Sequence, residues 1–103
     1  MDKRVRTIVD IVVDKSRMGP RDILSYSKRQ AAMNPRHVIW YLSRKYALHK
    51  SYKSIGRSFS RDHTTILNGI RRIERMRRDM PNIDSLVICC EQEIRGRFPC
   101  LAA

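Results

Sequence analysis

The sequence predicts an all-α domain of five to six helices that contains a helix-turn-helix. Three observations lead there. Apolar residues recur at helical spacing in four separate stretches, with no strict strand-like alternation. Breaking and starting signals, Gly19-Pro20, Asn34-Pro35 and Met80-Pro81-Asn82, fall between those stretches. The 103 residues suit one small core, so one domain is expected over 1–95, with 96–103 as a flexible C-terminal tail.

The first helix is expected from Asp2, its cap, to about Lys15, with Val5, Ile8, Val9 and Val12 at i, i+3, i+4 and i+7. Gly19-Pro20 stops it. Arg21 to Leu24 reads as a single helical turn that tucks Ile23 and Leu24 into the core, and Ser25 to Met33 as a basic loop carrying Lys28 and Arg29. Asn34 caps and Pro35 starts the next helix, which runs to about Ala47 with Val38, Ile39, Leu42 and Tyr46 inward. After a linker from Leu48, Ser51 caps a short helix from Tyr52 to about Phe59, with Ile55 and Phe59 inward. Gly56 inside it costs roughly 1 kcal/mol against Ala, which implies the close approach of another helix. Ser60 and Arg61 form the turn into a helix from Asp62 to about Arg78, completing the helix-turn-helix. Asn82 or Asp84 caps a last helix to about Arg95, with Ile83, Leu86, Val87, Cys90 and Ile94 inward and Gly96 as its end.

Charge narrows the function. Lys and Arg number 22 against 10 Asp and Glu, a formal net charge of +12, which points to a polyanionic partner. The longest apolar runs, Ile11–Val13 and Leu86–Cys90, fall far short of the roughly 20 residues of a membrane span, and the N-terminus lacks a signal-peptide apolar region. No membrane partner is therefore expected. Three cysteines (Cys89, Cys90, Cys100) make neither a zinc pattern nor a disulfide framework, so the reading is a reduced, cytoplasmic protein without a metal. No Gly-x-x-x-x-Gly-Lys-Ser/Thr occurs, and His63 has neither an orienting third residue nor an oxyanion donor. The expectation is no enzyme, no cofactor and no small-molecule substrate.

The helix from Asp62 has two faces. Ile66, Ile70 and Ile73 lie within about 60° of each other at 100° per residue. Thr64, Asn68, Arg71 and Arg75 lie on the opposite side, a row of hydrogen-bonding and cationic residues with no carboxylate. Residues 57–78 hold seven arginines and only two acids, Asp62 and Glu74, so Arg71, Arg72, Arg75, Arg77 and Arg78 read as a phosphate-facing run. Such a face suits a helix that reads DNA. Trp40 and Tyr41 read as packing residues, because the aromatics do not interleave with basic residues as single-strand binders require.

From Asp22 to Ile73 these residues resemble the C-terminal DNA-binding domain of the bacterial replication initiator DnaA. The resemblance rests on Ile55-Gly56-Arg-Ser-Phe59-Ser-Arg61-Asp62-His63-Thr64-Thr65-Ile66-Leu67, with Asp22-Ile-Leu-Ser25, Pro35-Arg36 and Leu42-Ser-Arg-Lys45 at matching spacing upstream. It implies a Trp-repressor-like helix-turn-helix fold. It also implies major-groove base contacts by Asp62, His63, Thr64 and Thr65 and by Arg36, with Asn68 and His37 beside them. Lys28, with Arg29, would enter the minor groove. Ser51, Arg61 and Arg72 would lie on the phosphate side, where the charges of Lys53, Arg71 and Arg75 are expected as well. Chemistry agrees: threonine methyls suit the thymine methyl, Arg and His donate to guanine, and Asp accepts from cytosine N4.

The chain departs from the family pattern in four places. The linker before Ser51 has one residue more, the single Ser60 stands where Gly-Gly is common, His37 replaces a glutamine, and Lys53 replaces a proline. These alter approach angle and base contacts. The expected function is sequence-preferring binding of double-stranded DNA by a nucleoid-associated, stand-alone regulator of transcription or replication. A low-preference nucleoid or RNA-binding protein, and a protein–protein adaptor that kept the fold, stay open. So does a homodimer or protein partner through the β-branched stripes of the first or last helix.

Overall fold

Asp2 caps the first helix, α1 (Lys3–Ser16), as its sequence implies: its Oδ1 accepts from the Arg4 amide at 2.9 Å. The computed structural model describes residues 2–25, 29–47 and 51–98, and all regular structure among them is helical. Val5, Ile8, Val9, Ile11 and Val12 bury one side of α1, and Arg17 ends it in the left-handed region (φ 60°), its amide bonded to the Val13 carbonyl. Pro20 opens a short α2 (Pro20–Leu24), whose Ile23 is fully buried. Leu24, expected beside it in the core, is 37% exposed, because a single turn can turn only one side inward.

The third helix begins earlier than its proline suggests. α3 spans Gln30–Tyr46, so Pro35 lies inside it and Asn34 is not its cap; Arg29 occupies the cap position, with no side-chain bond to the first turn. An interior proline withdraws one amide from the helix, here the partner of the Ala31 carbonyl. Ala31 is an exposed residue, and the helix continues through the proline. The predicted basic loop over 25–33 therefore shrinks to the stretch before Gln30, and Tyr26, Ser27 and Lys28 lie outside the described residues, as do 48–50 of the linker and 99–103 of the tail.

α4 (Tyr52–Phe59) is capped by Ser51, whose Oγ accepts from the Ser54 amide at 3.1 Å. α5 (His63–Asp79) is capped by Asp62. α6 (Pro81–Arg97) starts one residue before the expected caps, with Met80 at the cap position, and continues through Gly96. Gly96 does not end it because its position needs no left-handed turn; a Cβ there would meet open space.

α3 is the central element and packs against all five other helices. Trp40, Ile39, Val38 and Leu42 are fully buried along it, against Ile8, Val12, Ile23, Ile55, Ile66, Ile73, Val87 and Ile94 from the surrounding helices. Burying side chains of this size contributes about 1.5–3 kcal/mol each before entropy is counted. Trp40 is a packing residue, as its sequence context implies, and Cys90 is fully buried, its thiol pushed up to about 12 by burial.

Ser60 closes α4 with φ 55°, in the left-handed region where glycine is at ease and serine is not. Ser60→Gly is expected to stabilise the domain by about 0.5–1 kcal/mol, the relieved strain exceeding the added chain entropy. Urea unfolding midpoints at unchanged slope measure this; an unstable glycine variant would show the serine to be at ease.

Candidate nucleic-acid interface

The helix-turn-helix is α4, the turn at Ser60 and Arg61, and α5. Its tightness depends on Gly56. The Arg61 amide donates to the Gly56 carbonyl at 2.8 Å, and a Cβ at Gly56 would stand 2.4 Å from the Arg61 carbonyl oxygen. The close approach is thus to the turn that follows, not to another helix.

Asp62 presents the N-terminus of α5. Its Oδ2 accepts from the Thr64 amide at 3.0 Å, and that bond holds its carboxyl below the usual range. Its other oxygen lies 3.6 Å from Nδ1 of His63. His63, Thr64, Thr65, Asn68, Arg71 and Arg75 are all exposed. Thr64, Asn68, Arg71 and Arg75 fall within about 60° of arc and about 16 Å of length, one stripe opposite the buried Ile66, Ile70 and Ile73. Beside it, Ser51, Lys53 and Arg57 are exposed on and before α4, and Arg44 stacks over the Tyr52 ring at 5.0 Å. Arg44 and Arg57 extend the cationic surface beyond the residues expected to touch DNA. For Arg57 the signal was its i, i+4 spacing from Lys53 on one helix face.

Other expected contacts point elsewhere. Arg36 is buried, and its Nε donates to the Ile23 carbonyl at 2.6 Å. His37 is buried as well; burial and the neighbouring Arg72, Arg36 and Arg61 charges lower its pKa to about 4. The neutral imidazole faces Arg72, whose Nη1 lies 3.1 Å from its Nδ1, while Nη2 donates to Asn34 Oδ1 at 2.8 Å. Arg61 donates to the carbonyls of Phe59 and Ser25 and lies over Trp40. Gly69 lets this side of α5 sit flat on Trp40: a Cβ there would be 2.6 Å from the indole. Arg29 is exposed at the start of α3. Arg77, read as part of the phosphate-facing run, instead binds Asp84 Oδ1 at 2.7 Å and Tyr41 Oη at 2.9 Å.

Arg77 belongs to a polar cluster that no motif signalled. Buried Glu91 on α6 accepts from Lys45 Nζ at 2.6 Å and Tyr46 Oη at 2.7 Å, tying α6 to α3. Burial opposes ionisation of its carboxyl, but those two hydrogen bonds win and hold it below the usual range. Among the described residues, no group of three or more His, Cys, Asp or Glu is placed to hold a metal, and no helix is long and apolar enough to cross a membrane.

α5 is thus a buried-stripe helix with an acid-free outer row, entered through a glycine-locked turn. Residues 5–73 match the family described as bacterial DnaA protein helix-turn-helix. The chain belongs to the bacterial DnaA helix-turn-helix family. It is similar to the chromosomal replication initiator protein DnaA of Caulobacter sp. (strain K31), 35% identical over 99 residues, which cover 92% of this chain and 20% of that protein. The initiator DnaA 1 of Chlamydia muridarum is 38% identical over 81 residues, 79% of this chain and 17% of the relative. For the DnaA of Desulfotalea psychrophila the figures are 34% over 74 residues, 71% and 15%. The chain thus spans a fifth or less of the DnaA proteins it matches here. The matched segment contains the whole turn and the exposed stripe as far as Arg71, while α6 lies beyond it.

Proposed function

We propose that this chain binds double-stranded DNA with sequence preference, laying the N-terminal half of α5 in the major groove. The observation that carries the reading is the exposed, acid-free stripe of Thr64, Asn68, Arg71 and Arg75 on a helix whose N-terminus displays His63 and Thr65. Groove width admits one helix, and the stripe offers methyls and donors at its start and cations further along. Family membership supports the same reading. Asp62 serves as the helix cap and offers its second oxygen to a base. Arg29, Ser51, Lys53, Arg71 and Arg75 meet the phosphates or the adjacent minor groove, the role proposed for Lys28 as well. The role proposed is that of a regulator acting at sites in transcription or replication, in the cytoplasm.

In-vitro selection from a random duplex library tests this. Recovery of a defined site, with random duplex competing poorly at fixed salt, supports sequence preference; equal competition would replace it with low-preference binding. On the selected duplex, Thr64→Ala and His63→Ala are expected to cost roughly 1–3 kcal/mol each. Arg75→Ala should weaken all sequences alike and flatten the salt dependence by about one counterion. Unchanged retention after both base-contact substitutions would favour an adaptor that merely kept the fold.

A further inference from the structure

Two arginines in the motif are turned away from the proposed DNA face and converge on one place, the end of α2. A helix leaves its last carbonyls without intrahelical partners. Here the Asp22 carbonyl accepts from Ser25 Oγ at 2.7 Å, the Ile23 carbonyl from Arg36 Nε at 2.6 Å, and the Ser25 carbonyl from Arg61 Nη2 at 2.8 Å. The two guanidiniums come from different elements, α3 and the turn immediately before the cap of α5. They are close enough that Arg61's charge, after burial, adds to the lowering of Arg36's pKa. Cations are brought together in this way when acceptors hold both, and the rigid fork of arginine suits two fixed carbonyls better than a lysine would. Arg61 is bound a second time, through Nη1 to the Phe59 carbonyl at 3.0 Å, and stacks over the Trp40 ring.

We propose that Arg36 and Arg61 are positioning residues that clamp the end of α2 onto the helix-turn-helix, setting it in register with the N-terminal end of α5. They act on the reading of DNA by fixing the Ile23 and Ser25 carbonyls against the turn before α5 rather than by touching a base or a phosphate. The inference rests on the DNA-reading proposal above, and it assigns these two residues a different role from the one the family pattern implies. Arg36 sits beneath the surface, so its contribution is to the shape of the reader.

The test uses the full chain, the duplex recovered by selection, and a scrambled duplex of the same composition. Arg61→Ala is expected to reduce the preference for the selected duplex by about tenfold, the size of one lost base contact, while leaving the salt slope unchanged. In the free protein, hydrogen exchange of amides 22–25 should quicken while that of the buried α3 amides does not. Arg75→Ala serves as the contrast, with slope reduced by about one and preference kept. Should Arg61→Ala not fold, Arg61→Lys keeps the charge but reaches only one of the two carbonyls, and the same loss of preference at unchanged slope is expected. A slope reduced by about one with preference intact would overturn the proposal and make Arg61 a phosphate contact. Unaltered exchange at 22–25 would overturn it as well. If the wild-type chain itself fails to distinguish the two duplexes, the DNA-reading proposal is what falls, and the exchange measurement still decides whether the clamp exists.

Discussion

Between pH 6.5 and about 4 the domain is expected to lose roughly 3 kcal/mol of stability, and His37→Gln to prevent most of that loss. The buried imidazole titrates near 4 against an ordinary 6.5, because burial and then three arginines oppose a proton there. In the unfolded chain the same histidine takes up its proton from about pH 6.5 downward. Across that window the unfolded state holds more protons, so stability rises with pH and is lost as pH falls. Glutamine has no proton to gain, and its amide oxygen can accept from Arg72 as Nδ1 does. The family pattern also commonly carries glutamine at this position. Asp62 and Glu91, whose carboxyls are held below their ordinary values, add losses at more acid pH in both proteins, so the difference between the two isolates His37. Urea unfolding from pH 7 to 4 reads it. Parallel stability curves for the two proteins would mean that His37 charges without penalty.

Gly56→Ala is expected to cost about 1–2 kcal/mol and to weaken DNA binding, although alanine is the better helix former. Helix propensity alone would favour alanine by about 1 kcal/mol. The new Cβ, however, would stand 2.4 Å from the Arg61 carbonyl oxygen, and that atom belongs to backbone pinned on its other side by the Arg61 amide to Gly56 carbonyl bond. Neither partner can swing away as the end of a side chain would, so the turn opens, at the 1–3 kcal/mol or more typical of overpacking. Because Asp62 follows directly, the start of α5 moves with it. Gly96→Ala is the internal control: with open space around it, the same change should be neutral or slightly stabilising. Equal, favourable effects at both glycines in urea unfolding would show that the turn yields freely.

Much of this fold was legible because a helix repeats its inward residues. Val5 to Val12 and Ile66 to Ile73 announce their faces by spacing, and Asp2, Ser51 and Asp62 announce the starts by chemistry. Pro35 misled for a physical reason. Proline favours a first turn, yet it also survives inside a helix where the residue it deprives is exposed, and exposure of Ala31 cannot be read from local sequence. Leu24 misled because one turn of helix has no period to read. At the candidate site, charge was visible but its direction was not. Arg36, Arg61, Arg72 and Arg77 look in sequence like their exposed neighbours Arg71 and Arg75. What separates them is a partner distant along the chain: the Ile23 and Ser25 carbonyls, Asn34 with His37, and Tyr41. Asp84 is nearer, but lies on the next helix. Glu91 was invisible in the same way, since Lys45 and Tyr46 precede it by more than forty residues.

Met80 is at once the C-cap of α5 and the N-cap of α6, and Arg77 and Asp84 grip each other across that corner. Two long helices thus meet through a single shared cap residue. At the opposite end α5 is held by Gly56 and Arg61, and along its middle Gly69 beds it on Trp40. A helix fastened at both ends and at its midpoint is expected to resist tilting. Conformity between this protein and a duplex is then expected to come from rotating side chains and from bending of the double helix. Sequences that bend easily would then be favoured even at base pairs no residue touches.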